Sequence, residues 1–321
     1  MPRTKPRPGS EDLADPADLL KRMRAGERRA ISRAVTELER LSAAVPQLLA
    51  AMGPHLGHAL VVGITGPPGA GKSTLINAYT RHVRGEGRTV GIIAVDPSSP
   101  ISGGAILGDR IRMTSTLDDD GVFMRSLASR GHLGGLCPAA VRVIDALDAA
   151  GKDLVLLETV GTGQTDIDIA EIADVRVLVT APGLGDDIQA MKSGLLEIAD
   201  VMVVNKADRE GAERAVQQLK GALSLKTGAR AKVPVVKTIA TSGAGIAEMA
   251  QAIAGIGADA GDATERRRRR ARYLIARAAS DLLAERIRKG RGAELDKLAD
   301  AVLSGTLLPP AAAKKLIGGK R

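Results

Sequence analysis

A glycine-rich segment near residue 70 constrains the fold more than any other part of the sequence. It follows an apolar run, precedes an amphipathic stretch, and reads Gly66-Pro67-Pro68-Gly69-Ala70-Gly71-Lys72-Ser73-Thr74. Such a loop between a strand and a helix turns its backbone N–H groups toward phosphate oxygens, next to the positive end of the helix dipole. Its lysine, Lys72, is expected to reach the β- and γ-phosphates, and its serine, Ser73, to bind Mg²⁺. The segment therefore predicts a P-loop nucleotide site.

Short apolar runs alternate with longer amphipathic stretches from Ala59 to about Ile256, which is typical of a parallel sheet with helices on both faces. Several runs are apolar at nearly every position, as strands buried on both faces should be. The predicted strands are 59–65, 88–96, 121–128, 153–160, 175–181, 201–208 and 233–242. We predict an α/β P-loop NTPase domain over 57–260 with a mostly parallel central sheet.

Helical segments flank this domain on both sides. Residues 11–44 are predicted to form two helices, the second with an apolar face made of Ile31, Val35, Leu38 and Leu41. After a linker at 255–263, we expect a long helix, a shorter one around 293–303 and a stop at Pro309-Pro310. These segments define a helical N-terminal extension over 1–56 and a C-terminal helical arm over 261–321. The arm buries little by itself, so we predict that it forms a homodimer.

The net charge of +9 is confined to the C-terminal arm. Residues 262–321 carry 16 Lys and Arg against 7 Asp and Glu, and the rest of the chain carries 30 of each. The five consecutive arginines Arg266–Arg270 spread around a helix axis, which favours a solvated or partner-paired face over nucleic-acid binding.

Composition argues against several further classes. The chain has 321 residues but only two Tyr, one Phe and no Trp, so it offers few rings on which single-stranded nucleic acid can stack. Cys137 is the only cysteine, which fits a reducing compartment. Runs of about 18 apolar residues, which could span a membrane, do not occur. We expect a cytoplasmic protein that binds neither membranes nor nucleic acid.

The base of the nucleotide is predicted by a second motif, Asn205-Lys206-Ala207-Asp208, at the end of a predicted strand. The Asp208 carboxylate can accept from guanine N1–H and from the exocyclic amine, a pair of donors that adenine lacks. Ser242-Gly243-Ala244 follows the next strand and resembles the loop whose backbone contacts the guanine carbonyl. We therefore predict GTP and GDP as ligands.

Carboxylates for the metal lie at two other strand ends. Glu158 begins the segment Glu158-Thr159-Val160-Gly161, in which the Gly161 N–H can sense the γ-phosphate and Glu158 can hold Mg²⁺. Asp96 ends a strand and Asp109 lies near a glycine-rich loop, and both are further predicted metal ligands. Lys72, Asp96 and Glu158 are the predicted catalytic residues.

Hydrolysis is expected to be slow in the isolated protein. Gln164 is offset from Gly161 and is assigned no role in positioning water, while Arg110 and Arg112 are candidates for charge stabilisation. No catalytic glutamine or arginine finger can be placed from the sequence, so a partner that orders the switch loops should accelerate the reaction.

The chain resembles the MeaB/ArgK family of GTPases. The P-loop, the segment Asp96-Pro97-Ser98-Ser99-Pro100, GGAILGDRIRM at 103–113, ETVGTGQ at 158–164 and NKAD at 205–208 carry the resemblance. It implies a homodimeric G-protein chaperone that gates adenosylcobalamin loading into methylmalonyl-CoA mutase and protects that enzyme. It also implies that 182–192, which includes Asp186, Asp187, Gln189 and Lys192, is a third switch. The alternative is a solvated helix start.

Three other functions fit the sequence less well. A metal-insertion GTPase of the hydrogenase or urease maturation type should carry clustered Cys or His ligands, whereas His55, His58, His82 and His132 are scattered. An ATP-dependent kinase is disfavoured by Asp208. A nucleic-acid module would rest on the arginine run alone.

Overall fold

The computed structural model describes residues 15–96, 118–128, 138–159, 168–169, 171–184, 195–224, 233–290 and 292–318. The chain divides into two compact units, Met1–Arg270 and Ala271–Arg321. The boundary between the units falls inside a helix. The domain boundaries predicted at 56/57 and 260/261 stay predictions.

A parallel sheet forms the centre of the first unit. Its seven strands lie in the order β3-β2-β4-β1-β5-β6-β7, and each neighbouring pair is parallel. The strands are β1 Leu60–Thr65, β2 Val90–Asp96, β3 Val122–Ala128, β4 Leu154–Thr159, β5 Val175–Thr180, β6 Val201–Val204 and β7 Val235–Lys237. β1 and β4 are buried on both faces, which explains their unbroken apolar sequence. The predicted fold class is confirmed.

Helices cover both faces of this sheet. In chain order they are α1 Pro16–Arg24, α2 Arg28–Arg40, α3 Val45–Met52, α4 Lys72–Gly85, α5 Pro138–Ala149, α6 Leu195–Ile198, α7 Ala212–Ser224, α8 Ile246–Ala258 and the start of α9 Ala263–Gly290. Side chains of α4 and α8 share one apolar cluster with β1, β2, β4, β5 and β6. The other face meets α5, and α5 in turn packs against α2.

The N-terminal extension contains one helix more than the sequence analysis predicted. The predicted apolar face of α2 is correct at Ile31, Val35 and Leu38, which are fully buried. It is wrong at Leu41, whose side chain is 68% exposed. Leu41 ends α2 in the left-handed region with φ 51°, so its side chain leaves the buried face. The third helix, α3, follows within four residues and packs against α1.

The arginine run joins the first turns of α9 to the sheet domain. Arg270 is 4% exposed, and its Nη2 donates to Asp174 Oδ2 at 2.7 Å while its Nε donates to the Ile172 carbonyl at 2.9 Å. Arg269 Nη2 donates to Asp174 Oδ1 at 3.1 Å, and Arg266 Nη2 donates to the Gly57 carbonyl at 3.0 Å. Three of the five arginines therefore bind groups of the same unit outside α9, and Arg268 pairs with Glu265 within the helix.

The second unit is helical. It contains the rest of α9, α10 Gly292–Leu303 and α11 Pro309–Gly318. The predicted stop at Pro309-Pro310 is wrong, because the two prolines begin α11. Proline is tolerated in a first helical turn, where its missing N–H would have no intrahelical acceptor. None of the helices in the described ranges combines the length and the apolar character needed to cross a membrane.

Candidate nucleotide site

The predicted site residues that the structure describes lie at strand ends, or on loops and helix starts that follow strands, at the carboxyl edge of the sheet. In open α/β sheets this edge is where ligands bind. The glycine-rich segment connects β1 to α4, and Glu158 lies near the end of β4. Asn205 follows β6 directly, and the loop 241–244 precedes α8. The topology thus collects residues that are far apart in the sequence.

Two glycines of the loop have backbone positions that other residues would not tolerate. Gly66 has φ 144°, and a Cβ there would lie 2.0 Å from the Val179 carbonyl oxygen on β5. Gly71 has φ 88°, and a Cβ there would lie 2.6 Å from Asn205 Nδ2. The loop therefore passes directly against β5 and against the residue that follows β6. Its shape depends on glycine at both points.

Lys72 begins α4 and places its amino group inside the loop. Its side chain is buried, and Nζ donates to the Gly66 carbonyl at 2.7 Å and to the Pro67 carbonyl at 3.1 Å. Ala70 is fully buried, and its N–H closes a turn onto the Pro67 carbonyl at 3.3 Å. The positive charge of Lys72 thus lies at the N-terminus of a 14-residue helix, where the dipole also attracts anions.

Ser73 and Glu158 connect the start of α4 to the end of β4. Ser73 Oγ donates to Glu158 Oε1 at 2.8 Å, and both residues are buried. Thr74 follows in the first turn of α4, and next to Glu158 the Thr159 hydroxyl donates to Thr65 Oγ1 at 3.3 Å. A hydroxyl and a carboxylate in contact are the hard oxygen donors that Mg²⁺ prefers beside phosphate groups. These residues therefore fit a magnesium ion.

The other predicted metal and switch residues are described in part or not at all. The backbone of Asp96 ends β2, which pairs with β4 through Val95 and Thr159. The side chain of Asp96 lies outside the described residues. So do the segments 97–117 and 160–167, which contain Asp109, Arg110, Arg112, Gly161 and Gln164. The segment 185–194, which contains residues 185–192 of the predicted third switch, lies outside them too.

Asn205 is the residue on which the loops of the site converge. It is 1% exposed, and its Nδ2 donates to the Ala70 carbonyl in the P-loop at 2.9 Å. Its Oδ1 accepts from Thr238 Oγ1 at 3.1 Å and from the Ala240 N–H at 3.2 Å. One side-chain amide therefore joins the P-loop to the segment after β7. Sequence reasoning missed Thr238, because the predicted strand 233–242 placed it inside the strand, whereas β7 ends at Lys237.

Lys206 and Asp208 complete the turn after β6. Lys206 adopts the left-handed region with φ 57°, and its Nζ donates to the Gly69 carbonyl at 2.6 Å. The aliphatic stem of Lys206 thus extends toward the P-loop. Asp208 lies two residues further on and is exposed. A carboxylate at this position can accept hydrogen bonds from an incoming base.

The loop 241–244 is held in a tight turn beside this region. Ile239 N–H donates to the Ala244 carbonyl at 2.9 Å, and the N–H groups of Ser242 and Gly243 both donate back to the Ile239 carbonyl. Gly245 has φ 76°, and a Cβ there would lie 1.9 Å from the Lys237 carbonyl oxygen. Ser242, Gly243 and Ala244 are exposed at the tip. The Ala244 N–H donates to Ser242 Oγ at 3.4 Å, so the loop is held by hydrogen bonds within itself.

These features define the protein as a P-loop nucleoside triphosphatase. Two loops stand beside its phosphate loop, one formed by Asn205–Asp208 and one by 241–244. Asn205 bonds to both the phosphate loop and the segment that enters the second of these loops.

Comparison with known proteins identifies the group within this class. The family model described as methylmalonyl-CoA mutase-associated GTPase MeaB matches residues 29–291. A Pyrococcus horikoshii protein whose name describes it as a GTPase is 42% identical over 312 residues, which are 94% of this chain and 98% of that protein. GTPase ArgK of Escherichia coli K12 is 43% identical over 196 residues, 60% of this chain and 59% of that one.

A solved structure agrees with these sequence relatives. The crystal structure of a LAO/AO transport system kinase superposes with a TM-score of 0.77 at 27% identity, over 97% of this chain and 99% of that one. The chain belongs to the MeaB family of GTPases, and the resemblance drawn from its motifs is confirmed.

Replacement of Asn205 by alanine should destabilise the protein and weaken nucleotide binding together. The substitution leaves the Thr238 hydroxyl and the Ala240 N–H without their shared acceptor in a buried place. We expect the free energy of unfolding to fall by about 2 to 4 kcal/mol, measured by urea denaturation. Thr238→Val, which removes only one of these hydrogen bonds, should cost about 1 kcal/mol. Equal stability of Asn205→Ala and the parent would contradict the role of Asn205.

Proposed function

We propose that this protein uses GTP and Mg²⁺ as the timing element of a cytoplasmic chaperone for an adenosylcobalamin-dependent methylmalonyl-CoA mutase. The observation that carries the proposal is the match of residues 29–291 to a family described as associated with that mutase. Those residues include the P-loop, Glu158, the Asn205–Asp208 turn and the loop 241–244. The client is thus supported by family membership, and the timing role by the geometry of the site.

The residues of this chain divide the work of holding the nucleotide. Backbone N–H groups of 66–74 and the Lys72 ammonium hold the phosphates, while Asp208 and the loop 241–244 hold the guanine. Ser73 and Glu158, with Asp96 and Asp109 as further candidates, hold Mg²⁺. When bound, this ion neutralises charge that develops on the phosphate oxygens. Lys72 Nζ donates to two carbonyls of its own loop. When phosphate oxygens replace these carbonyls as acceptors, the amino group stays in the same place.

Nucleotide state can reach a partner through Glu158. This residue bonds to Ser73 in the phosphate site and is followed within two residues by 160–167. A change in the ligands around Ser73 therefore acts, through Glu158, on the chain just before Gly161, whose N–H is predicted to sense the γ-phosphate. We propose that hydrolysis is slow until the client orders these loops, since ordering supplies the positioning that phosphoryl transfer requires.

Base selection is tested by replacing Asp208 with asparagine. An amide in place of the carboxylate keeps one acceptor and gains a donor, which suits xanthine because its C2 carries an oxygen instead of an amine. We expect GDP affinity to fall by about 100-fold, given about 1.5 to 3 kcal/mol for a hydrogen bond to a charged group. The affinity for xanthosine diphosphate should be higher in Asp208→Asn than in the parent protein. Calorimetric titration of both nucleotides with Mg²⁺ measures the two constants.

Two controls separate base selection from other effects. Glu210→Gln changes an exposed carboxylate two residues away and should leave both affinities unchanged. ATP titrated against the unaltered protein should bind far more weakly than GTP. ATP binding as tight as that of GTP would contradict the guanine assignment and favour a kinase activity. The solved structural relative is described as a kinase.

The client is tested by co-purification. The full chain, loaded with either GDP or a non-hydrolysable GTP analogue, is mixed with an adenosylcobalamin-dependent methylmalonyl-CoA mutase and passed over a sizing column. We expect a complex whose affinity differs by about tenfold between the two nucleotide states, a coupling of about 1.4 kcal/mol. A Lys72→Ala variant should lose the difference. Absence of a complex in both states would remove the mutase proposal and leave the GTPase assignment intact.

A homodimer formed through the second unit is a further proposal. Its α9 residues Ile275 and Leu282 are 70% and 67% exposed and lie two helical turns apart on one side of the helix. Leu303 at the end of α10 and Leu308 before α11 are also exposed, by 84% and 73%. Exposed large apolar residues on a small helical unit favour a second copy of the same chain as the covering surface.

Charge on this surface should dissociate the dimer. We expect Ile275→Glu combined with Leu282→Glu to shift the sedimentation coefficient from that of a dimer to that of a monomer at micromolar concentration, because a carboxylate is costly to bury in an apolar interface. Ser280→Glu, at an exposed position between them on another side of α9, is the matched control and should stay dimeric. A monomeric parent protein under these conditions would contradict the proposal.

A further inference from the structure

A cavity lies between α4 and α8, toward the amino edge of the sheet and away from the P-loop. Its volume is about 440 Å³, and it is bordered by Leu60 at the start of β1 and by Arg266. One wall consists of the second half of α4 and the residues that follow it, and the other consists of α8. This volume lies in the range of about 300 to 1,000 Å³ typical of small-molecule pockets.

The α8 wall consists mostly of small apolar side chains, with Gln251 as its polar member. Ala247, Ala250, Ala254 and Ala258 border the cavity at helical spacing. The fifth small residue there, Gly257, is close-packed, because a Cβ would lie 2.9 Å from Leu60 Cδ2. Because these residues of α8 are small, they leave a space unfilled opposite the larger side chains of α4. The surface suits the aliphatic part of a ligand.

Tyr79 supplies a buried hydrogen-bond donor on the α4 wall. It borders the cavity and is only 3% exposed. Burial raises the pKa of its phenol to about 12, so the hydroxyl stays protonated. The charges of Arg88 and Glu86 also act on this phenol. Tyr79 therefore offers a protonated hydroxyl on the cavity wall, to which an incoming acceptor can hydrogen-bond.

The charged groups around the cavity favour an anion of single charge. Glu86 lies between two basic side chains, with Oε1 3.4 Å from His82 Nε2 and Oε2 3.7 Å from Arg88 Nη1. Arg266 lies across from them and donates to the Gly57 carbonyl. Two guanidinium groups, those of Arg88 and Arg266, stand against the one carboxylate of Glu86. The cavity thus carries one excess positive charge.

We propose that this cavity binds a small carboxylic acid with an unbranched aliphatic body. Its carboxylate accepts from Tyr79 and lies near Arg88, and its apolar part lies against the alanines of α8. The site is separate from the nucleotide site, since it borders the second half of α4 whereas Lys72 and Ser73 begin that helix. A single negative charge matches the cavity better than a phosphate, which carries nearly two.

Hexanoate is the probe, titrated against the full chain saturated with Mg²⁺ and GDP so that the phosphate loop is already occupied. Saturation-transfer NMR measures its dissociation constant beside those of hexanol and hexylammonium, which share the body but not the charge. We expect hexanoate to bind about tenfold more tightly than either. Equal binding of all three, or no hexanoate binding, would overturn the proposal.

Variants locate the site. Tyr79→Phe keeps the ring and removes the hydroxyl, so it should weaken hexanoate about fivefold, which corresponds to one hydrogen bond. Ala254→Leu fills the cavity from an exposed position of α8 and should abolish binding. Gly255→Leu, where a Cβ meets open space, is the matched control and should retain it. Equal hexanoate affinity in the Ala254 and Gly255 variants would place the ligand elsewhere and overturn the proposal. GDP affinity should be the same in all three.

Discussion

The side-chain amide of Asn205 is the contact on which the geometry of the nucleotide site depends. Its nitrogen holds the P-loop at Ala70 and its oxygen holds Thr238 and Ala240, so two loops take their positions from one planar group. Asn205 is buried, and its partners are backbone groups or a buried hydroxyl. An amide supplies both a donor and an acceptor. Neither aspartate nor leucine at this position could serve both loops.

The same contact explains why glycine is needed at position 71. The amide nitrogen approaches so closely that any Cβ there would overlap it, and the backbone already has a positive φ. Gly66 is constrained in the same way by the Val179 carbonyl of β5. The glycines of the loop thus do two things. They turn N–H groups toward phosphate, and they let the loop lie directly on its neighbours.

Much of this arrangement could be predicted from the sequence, because parallel strands buried on both faces leave unbroken apolar runs. The P-loop and the Asn205–Asp208 turn were found because each motif is contiguous. Thr238 was missed because its contact with Asn205 spans 33 residues. Leu41 was placed wrongly because helical periodicity does not show where a helix ends. Pro309 and Pro310 were interpreted wrongly as a helix stop, because proline occurs both after the end of one helix and in the first turn of the next.

The arginine run shows how a charge pattern can mislead when its partners are distant in the sequence. Three aspartates gather beside the start of α9. Asp174 bonds to Arg269 and Arg270, and Asp148 is buried and accepts from the N–H groups of Gly57, His58 and Ala59.

Asp145, the third of these aspartates, lies beside the arginine run, and the nearby cations stabilise its ionised form. Burial raises its pKa to about 6, and the charges of Arg270 and Arg267 oppose that rise. A carboxyl whose folded pKa is raised lowers stability as pH increases from about 3.8 to 6, since the unfolded chain ionises first. Cations beside it limit that loss at neutral pH. The positive charge of Arg266–Arg270 therefore stabilises carboxylates of the same unit. A count of charges along the sequence does not show these pairs.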